Sequence, residues 1–161
     1  MSLIFLALAA CVGDDKCIDG ETESGECASA SAECSAVAGA TMSVSPGEGT
    51  IAAALSAAVS GDIIELLPGD YADEDMVVPA GVAVVGRCDV ALAVPSDATG
   101  FSLTDADGAR VANLDILGGA PAIDLTASVP SAVTLADLSI SSSGSYGVRV
   151  AGSVTLTASG L

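Results

Sequence analysis

The chain has 161 residues, room for one domain, and carries 21 acidic against four basic side chains for a formal charge of −17. So acidic a surface repels phosphate backbones, which proteins hold with Lys and Arg, and nucleic acid is excluded as a partner. There is no histidine, which also closes the Ser-His-Asp and Cys-His routes to catalysis. Apolar residues make up 51% of the chain, yet it has only two Phe, two Tyr and no Trp. Its large aliphatics come in short bursts between Gly, Ser, Ala and Asp, which suits a thin core of stacked layers better than one spherical core.

The first element is the apolar run Leu3-Ile4-Phe5-Leu6-Ala7-Leu8-Ala9-Ala10, which ends at Cys11. It is too short to cross a bilayer as a helix, which takes about 20 residues, but it fits the apolar region of a signal peptide. The tetrad Leu8-Ala9-Ala10-Cys11 resembles the lipobox of bacterial lipoproteins, although no Lys or Arg precedes the run. That resemblance implies a signal peptide over 1–10, cleavage before Cys11 and a lipid on its sulfur that anchors the protein in a membrane. Val12 follows where an aspartate favours inner-membrane retention, so the implied address is the outer membrane or cell surface. An ordinary secretory signal or a buried apolar strand are the other readings of the run.

Residues 11–40 are rich in Gly, Ser, Ala, Asp and Glu and poor in large apolar side chains, so they are expected to form a flexible, acidic, cysteine-containing linker. Within it Asp14, Asp15, Asp19, Glu21 and Glu23 gather around Gly20, as ligands do in calcium loops. The alternation is incomplete, and Cys17 takes one of the ligand places. Solubility is the plainer account of the acidity and calcium the sharper one; no cofactor is expected, and calcium is the one the composition leaves open. With Cys11 lipidated, Cys17, Cys27, Cys34 and Cys88 form an even set, which in an exported chain suggests two disulfides with three connectivities. Pairing Cys17 with Cys27 would leave Cys34 to tie the linker to Cys88. The lack of any CxxC pair argues against zinc.

The domain is expected over 41–161. Ile51, Leu55 and Val59 share one helical face, Thr50 can cap the helix start and Gly61 sits where a helix stops. Periodicity then changes: Asp62-Ile63-Ile64-Glu65-Leu66-Leu67 reads as a buried strand, ended by Pro68-Gly69-Asp70-Tyr71. Short strands follow at Met76-Val77-Val78 and Val82-Ala83-Val84-Val85. Gly100-Phe101-Ser102-Leu103-Thr104 then repeats as Ala122-Ile123-Asp124-Leu125-Thr126 and Gly147-Val148-Arg149-Val150-Ala151, at offsets of 22 and 25 residues. Val111-Ala112-Asn113-Leu114-Asp115-Ile116 repeats as Leu135-Ala136-Asp137-Leu138-Ser139-Ile140 and, less fully, as Ala158-Ser159-Gly160-Leu161, at offsets of 24 and 23. The strand period of two turns Phe101, Leu103, Ile123, Leu125, Val148 and Val150 inward and Ser102, Asp124 and Arg149 outward. Asn113 reads as an inward ladder residue, and Asp105-Ala106-Asp107-Gly108 as a turn that ends a strand or a calcium-like loop. The final residues read as a strand in mid-pattern, so the domain is expected to be truncated at its C-terminal end. A leucine-rich repeat and a Greek-key sandwich are the rival folds.

The stretch Thr50-Ile51, Ala54-Leu55, Ala57-Ala58, Gly61-Asp62-Ile63-Ile64-Glu65-Leu66, Pro68-Gly69-Asp70-Tyr71 and Gly81-Val82-Ala83-Val84-Val85-Gly86 resembles the opening of the pectin-lyase-like superfamily. The resemblance implies an all-β fold, a right-handed parallel β-helix with an N-terminal capping α-helix. Polysaccharide lyases and hydrolases of that superfamily set acids and a basic residue on one outward face. Here the outward candidates are Asp115, Asp124 and Arg149, the last two one rung apart, and they make no catalytic constellation. The expected function is that of a non-catalytic cell-surface lipoprotein whose β-helix serves as a structural, adhesion or glycan-contact module. Its partners would be the membrane, through the lipid, and a cell-surface polysaccharide or another surface protein. The alternatives are the N-terminal part of a polysaccharide lyase or hydrolase with catalytic rungs beyond Leu161, and a calcium-binding surface module.

Overall fold

The computed structural model describes residues 34–141, 144 and 146–161; the readings made at Cys11, Cys17, Cys27 and the acids at 14–23 lie outside the described residues. Among the described residues, eleven strands and one short helix wind into a parallel β-solenoid of about five turns. Strands of successive turns stack into three columns. The first holds β1 (Met42–Val44), β3 (Ile63–Leu66), β6 (Ala83–Gly86), the start of β9 (Arg110–Gly118), the later part of β10 (Ile123–Ser141) and the end of β11 (Val148–Ser159). The second holds β2 (Gly47–Glu48), β4 (Gly69–Ala72), β7 (Val90–Val94), the end of β9 and the last residues of β10. The third holds β5 (Met76–Val77), β8 (Phe101–Thr104) and the beginnings of β10 and β11. The helix α1 (Thr50–Ala57) follows β2 as β5 follows β4, and packs against β5 at the first turn.

The repeat offsets read from the sequence are the structural register. Phe101 pairs with Ile123 and Ile123 with Val148; Val111 pairs with Leu135 and Leu135 with Ala158. In-register stacking puts like residues above one another, so each inward position forms a continuous apolar column. Phe101, Leu103, Ile123 and Leu125 are at most 1% exposed, and each such side chain contributes about 1.5–3 kcal/mol by leaving water. Val148 and Val150 continue those columns but stay partly exposed, because among the described residues nothing stacks on the far side of β11. Tyr71 is the one buried tyrosine; its hydroxyl lies 2.8 Å from the Val44 carbonyl and 2.7 Å from that of Leu67 and donates into this pair, while burial pushes its pKa up.

Three local expectations are corrected. The helix stops at Ala57, short of Val59, which is 66% exposed. Ala58 turns extended, and the Asp62 carboxylate accepts the Val59 N–H at 2.8 Å, so the chain is drawn out of the helix toward β3. Thr50 does not cap the start. Gly49 is the N-cap, in the left-handed region, and Asp73 from the following turn accepts the N–H groups of Ile51 and Ala52 at 3.1 and 3.3 Å. A carboxylate there satisfies two orphan donors and faces the positive end of the helix dipole. Asn113 is not inward. It sits exposed with φ 58°, and Asp137 and Gly160, its counterparts in the next two units, have φ 51° and 61°. One left-handed residue bends the chain from the first column into the second, which breaks the alternation; Asn, Asp and Gly are the residues that tolerate it. The Asn113 amide donates to the carbonyls of Gly86 and Arg87 at 2.7 and 3.2 Å, tying its corner to the turn before it.

Residues 34–40, which composition grouped with the linker, lie against the outward side of the first column. A disulfide joins Cys34 to Cys88, and Arg87 Nε donates to the Cys34 carbonyl at 2.8 Å. Val37 packs beside Ile63 and Ala83 against Val85, Ala112 and Ala136, burying an apolar strip on a face that strand alternation directs to solvent.

Candidate functional site

The outward row of the third column is Val77, Ser102, Asp124 and Arg149, held in register across β5, β8, β10 and β11. Strand pairing brings Asp124 and Arg149 together as the sequence expected. Arg149 Nε donates to Asp124 Oδ1 at 2.9 Å, and its Nη2 donates to Oδ2, a bidentate fork. Thr126 Oγ1 adds a long donation to Asp124 Oδ1 at 3.5 Å. The Arg149 hydrogen bonds hold the Asp124 carboxyl below the usual carboxylate range, and Asp124 raises Arg149 in return. The Asp124 side chain is 14% exposed and that of Arg149 is 53% exposed, so solvent screens the pair.

Asp115 stands in the second column, in register with Ala91 below and Ser139 above. It is exposed and lines a shallow hollow of about 210 Å³ with Asp89, Val90, Asn113, Leu114 and Asp137. Asp89 carried no signal in the sequence, and Asp137 stood there only as the counterpart of Asn113. The available signal was the place of Asp137 opposite Asn113 in the repeat, at the left-handed residue inside the strand. Asp115 and Asp124 thus belong to different columns, and neither has a second acid directly above or below it; Asp70 shares the Asp115 row two turns away.

Several other carboxylates build turns. Asp105 accepts the Ser128 N–H at 2.6 Å, the Ser128 hydroxyl at 2.9 Å and the Val129 N–H at 3.4 Å. The Ser128 bonds hold its pKa below the ordinary value. Asp107 accepts the Ala132 N–H at 2.8 Å, and Asp75 that of Thr99 at 3.3 Å. Each acid reaches forward to the next turn, so the Asp105–Gly108 segment is a turn clasp in this structure. Glu65 is the most enclosed acid, 4% exposed although it points away from the core. It accepts the Val37 N–H at 2.7 Å and the Ser43 hydroxyl at 3.0 Å, and Arg87 Nε stands 3.8 Å away. The Val37 hydrogen bond is the main cause that holds its pKa below the ordinary value, against a smaller opposing effect of burial.

One trio approaches metal-ligand spacing: Cys34 Sγ, Cys88 Sγ and an Asp89 carboxylate oxygen lie within 4.8 Å of one another. The two sulfurs are bonded to each other and offer no thiolate, so the trio does not fit zinc. Among the described residues no helix is long and apolar enough to cross a membrane.

Fold and site define a parallel β-solenoid in which Asp75, Asp105 and Asp107 are spent on its own turns and Asp124 on Arg149. No protein-family model, curated protein or solved structure matches the chain.

Proposed function

We propose that this chain is a lipoprotein held at the outer membrane or cell surface through Cys11, and that its solenoid, a right-handed β-helix of the pectin-lyase-like kind, is a non-catalytic structural, adhesion or glycan-contact module. The observation that carries the reading is how the outward charges are used. Asp73, Asp75, Asp105 and Asp107 accept backbone N–H groups, and Asp124 is neutralised by Arg149. A general acid needs a proton to deliver and a general base a lone pair free to take one. Oxygens already committed to N–H groups serve neither role well. What the outward rows offer beside these acids is Ser, Thr, Ala and Val, with Asp70 and Asp115 exposed in the second column, a surface suited to hydrogen bonds and apolar contact along an extended partner. The lipobox-like tetrad supplies the anchor, and the polar linker supplies reach between membrane and module.

The test has two arms. Expressed in a Gram-negative host fed an alkyne-bearing fatty acid, the chain should take up label and fractionate with the outer membrane, and Cys11→Ser should do neither. An unlabelled parent chain overturns the anchor. Incubated with a panel of insoluble cell-wall polysaccharides, the whole chain should be retained by at least one at about millimolar affinity. Retention by none removes glycan contact and leaves adhesion to protein.

A further inference from the structure

The segment 34–40 is held differently from the strands that follow it. It precedes β1 and takes no place in the strand ladder, yet it lies on the outward side of the first column. Glu65, Val85, Ala112 and Ala136 stand there in register as one outward row, and all four are buried. Besides the Cys34–Cys88 bond, two hydrogen bonds tie the segment to the turns. The Val37 N–H donates to Glu65 Oε1 at 2.7 Å, and Arg87 Nε donates to the Cys34 carbonyl at 2.8 Å. Val37 packs against the apolar part of the row, whereas Ser35, Ala36, Ala38 and Gly39 are exposed. Ordering a segment of this length costs more conformational entropy than one half-buried valine and two hydrogen bonds return. The disulfide therefore decides whether the segment stays in place.

We propose that the Cys34–Cys88 bond is a redox-operated latch, which a dithiol opens to release residues 34–40 from the outward face of the first column while the solenoid stays folded. Both cysteines are half-buried and lie outside the stacked core, so a thiolate can reach their sulfurs. One thiolate of the dithiol attacks one of these sulfurs, forms a mixed disulfide and expels the other cysteine as a thiolate, which takes up a proton. The second thiolate of the dithiol then attacks its own sulfur in the mixed disulfide and expels the remaining cysteine, which is protonated in turn. The reductant leaves as a disulfide, oxidised by two electrons, and Cys34 and Cys88 remain as two thiols, reduced by two. The core keeps its contacts, because Ile64, Leu66 and Val84 face inward on the same strands and their ladder does not include the segment. Opening uncovers the Glu65 carboxylate, which loses its Val37 donor, and the row of Val85, Ala112 and Ala136, which loses the Val37 side chain.

Amide hydrogen exchange of the whole chain, with and without dithiothreitol, reads the latch at Val37. Reduction should speed exchange there at least about tenfold, while the amides of β6, paired on both sides by β3 and β9, keep their rates within about twofold. The chain also carries Cys11, Cys17 and Cys27, so a chain with both Cys34→Ala and Cys88→Ala separates their reduction from this one. That variant should exchange at Val37 as fast as the reduced parent, whether or not dithiothreitol is present. Exchange at Val37 that reduction leaves unchanged in the parent overturns the proposal. So does a response to dithiothreitol in the doubly substituted chain, which would assign the change to another cysteine. Exchange that quickens at β6 together with Val37 overturns it as well, since the bond would then hold up the whole solenoid and not one segment.

Discussion

The stacked core makes one contrast measurable. Leu125 and Val150 occupy the same inward column on adjacent turns, yet Leu125 is 0% and Val150 is 48% exposed. Leu125→Ala removes fully buried carbon from between Leu103 and Val150, whose backbones are pinned by the strand ladder on either side. The site can collapse little, so the loss should fall in the middle of the range for such truncations, about 3–4 kcal/mol. Val150→Ala removes two methyl groups that are only half withdrawn from water, at roughly 0.8 kcal/mol for each when fully buried, which gives about 1 kcal/mol. The assay is urea denaturation of both variants and the parent followed by far-UV circular dichroism, with slopes compared so that a change in midpoint reads as a change in stability. Losses that agree within about 0.5 kcal/mol would refute the inward column and its open end together. Leu125→Asp extends the test: an unpaired charge in the stack should leave no cooperative transition at neutral pH, and parent-like melting would show the side chain faces out.

Further outcomes concern the tie, the cap and the acids. Replacing Cys34 and Cys88 together by Ala opens a closure spanning 54 residues, which by chain entropy should cost about 4 kcal/mol in the same urea assay; a loss under about 1 kcal/mol would count against that link. Asp73→Ala removes the acceptor for Ile51 and Ala52 and should cost about 1–2 kcal/mol, whereas Thr50→Val should cost nothing or stabilise, since the Thr50 hydroxyl is buried without a partner. Equal losses for the two would restore Thr50 as the cap. Glu65 has a folded pKa below its ordinary value of 4.5, so the folded state binds fewer protons than the unfolded state as the pH falls past that value. Its stabilisation is complete above that pH and lost as pH falls through the folded pKa. The melting-temperature gap between the parent and Glu65→Gln should therefore close on acidification, and a gap that is constant from pH 7 to about 2 would refute the role assigned to the carboxylate.

The legible and illegible parts of this protein divide along a physical line. Parallel turns stack in register, so a residue at a fixed offset in the sequence becomes the neighbour directly above. The repeat at Phe101, Ile123 and Val148 therefore already contained the strand pairing, the inward columns and the Asp124–Arg149 pair. The N-terminal helix was legible from Ile51 and Leu55 for the same kind of reason, a local period. Bends obey no such period. Which acid caps α1, which residue turns the corner at Asn113, and what covers Glu65 depend on groups a turn away or farther, whose distance in sequence varies with each loop. Asp73 and Thr50 look equally able to cap the helix until the second turn sets Asp73 over its N-terminus. Val37 has the composition of a linker residue until the Cys34–Cys88 bond and Glu65 hold it to the sheet. The sequence by itself determined a stacked parallel coil, because repetition and alternation are properties of the chain. Only the tertiary structure decided how Asp73, Asp75, Asp105 and Asp107 are spent, because their partners are backbone N–H groups that every residue but proline carries and that only folding brings within reach.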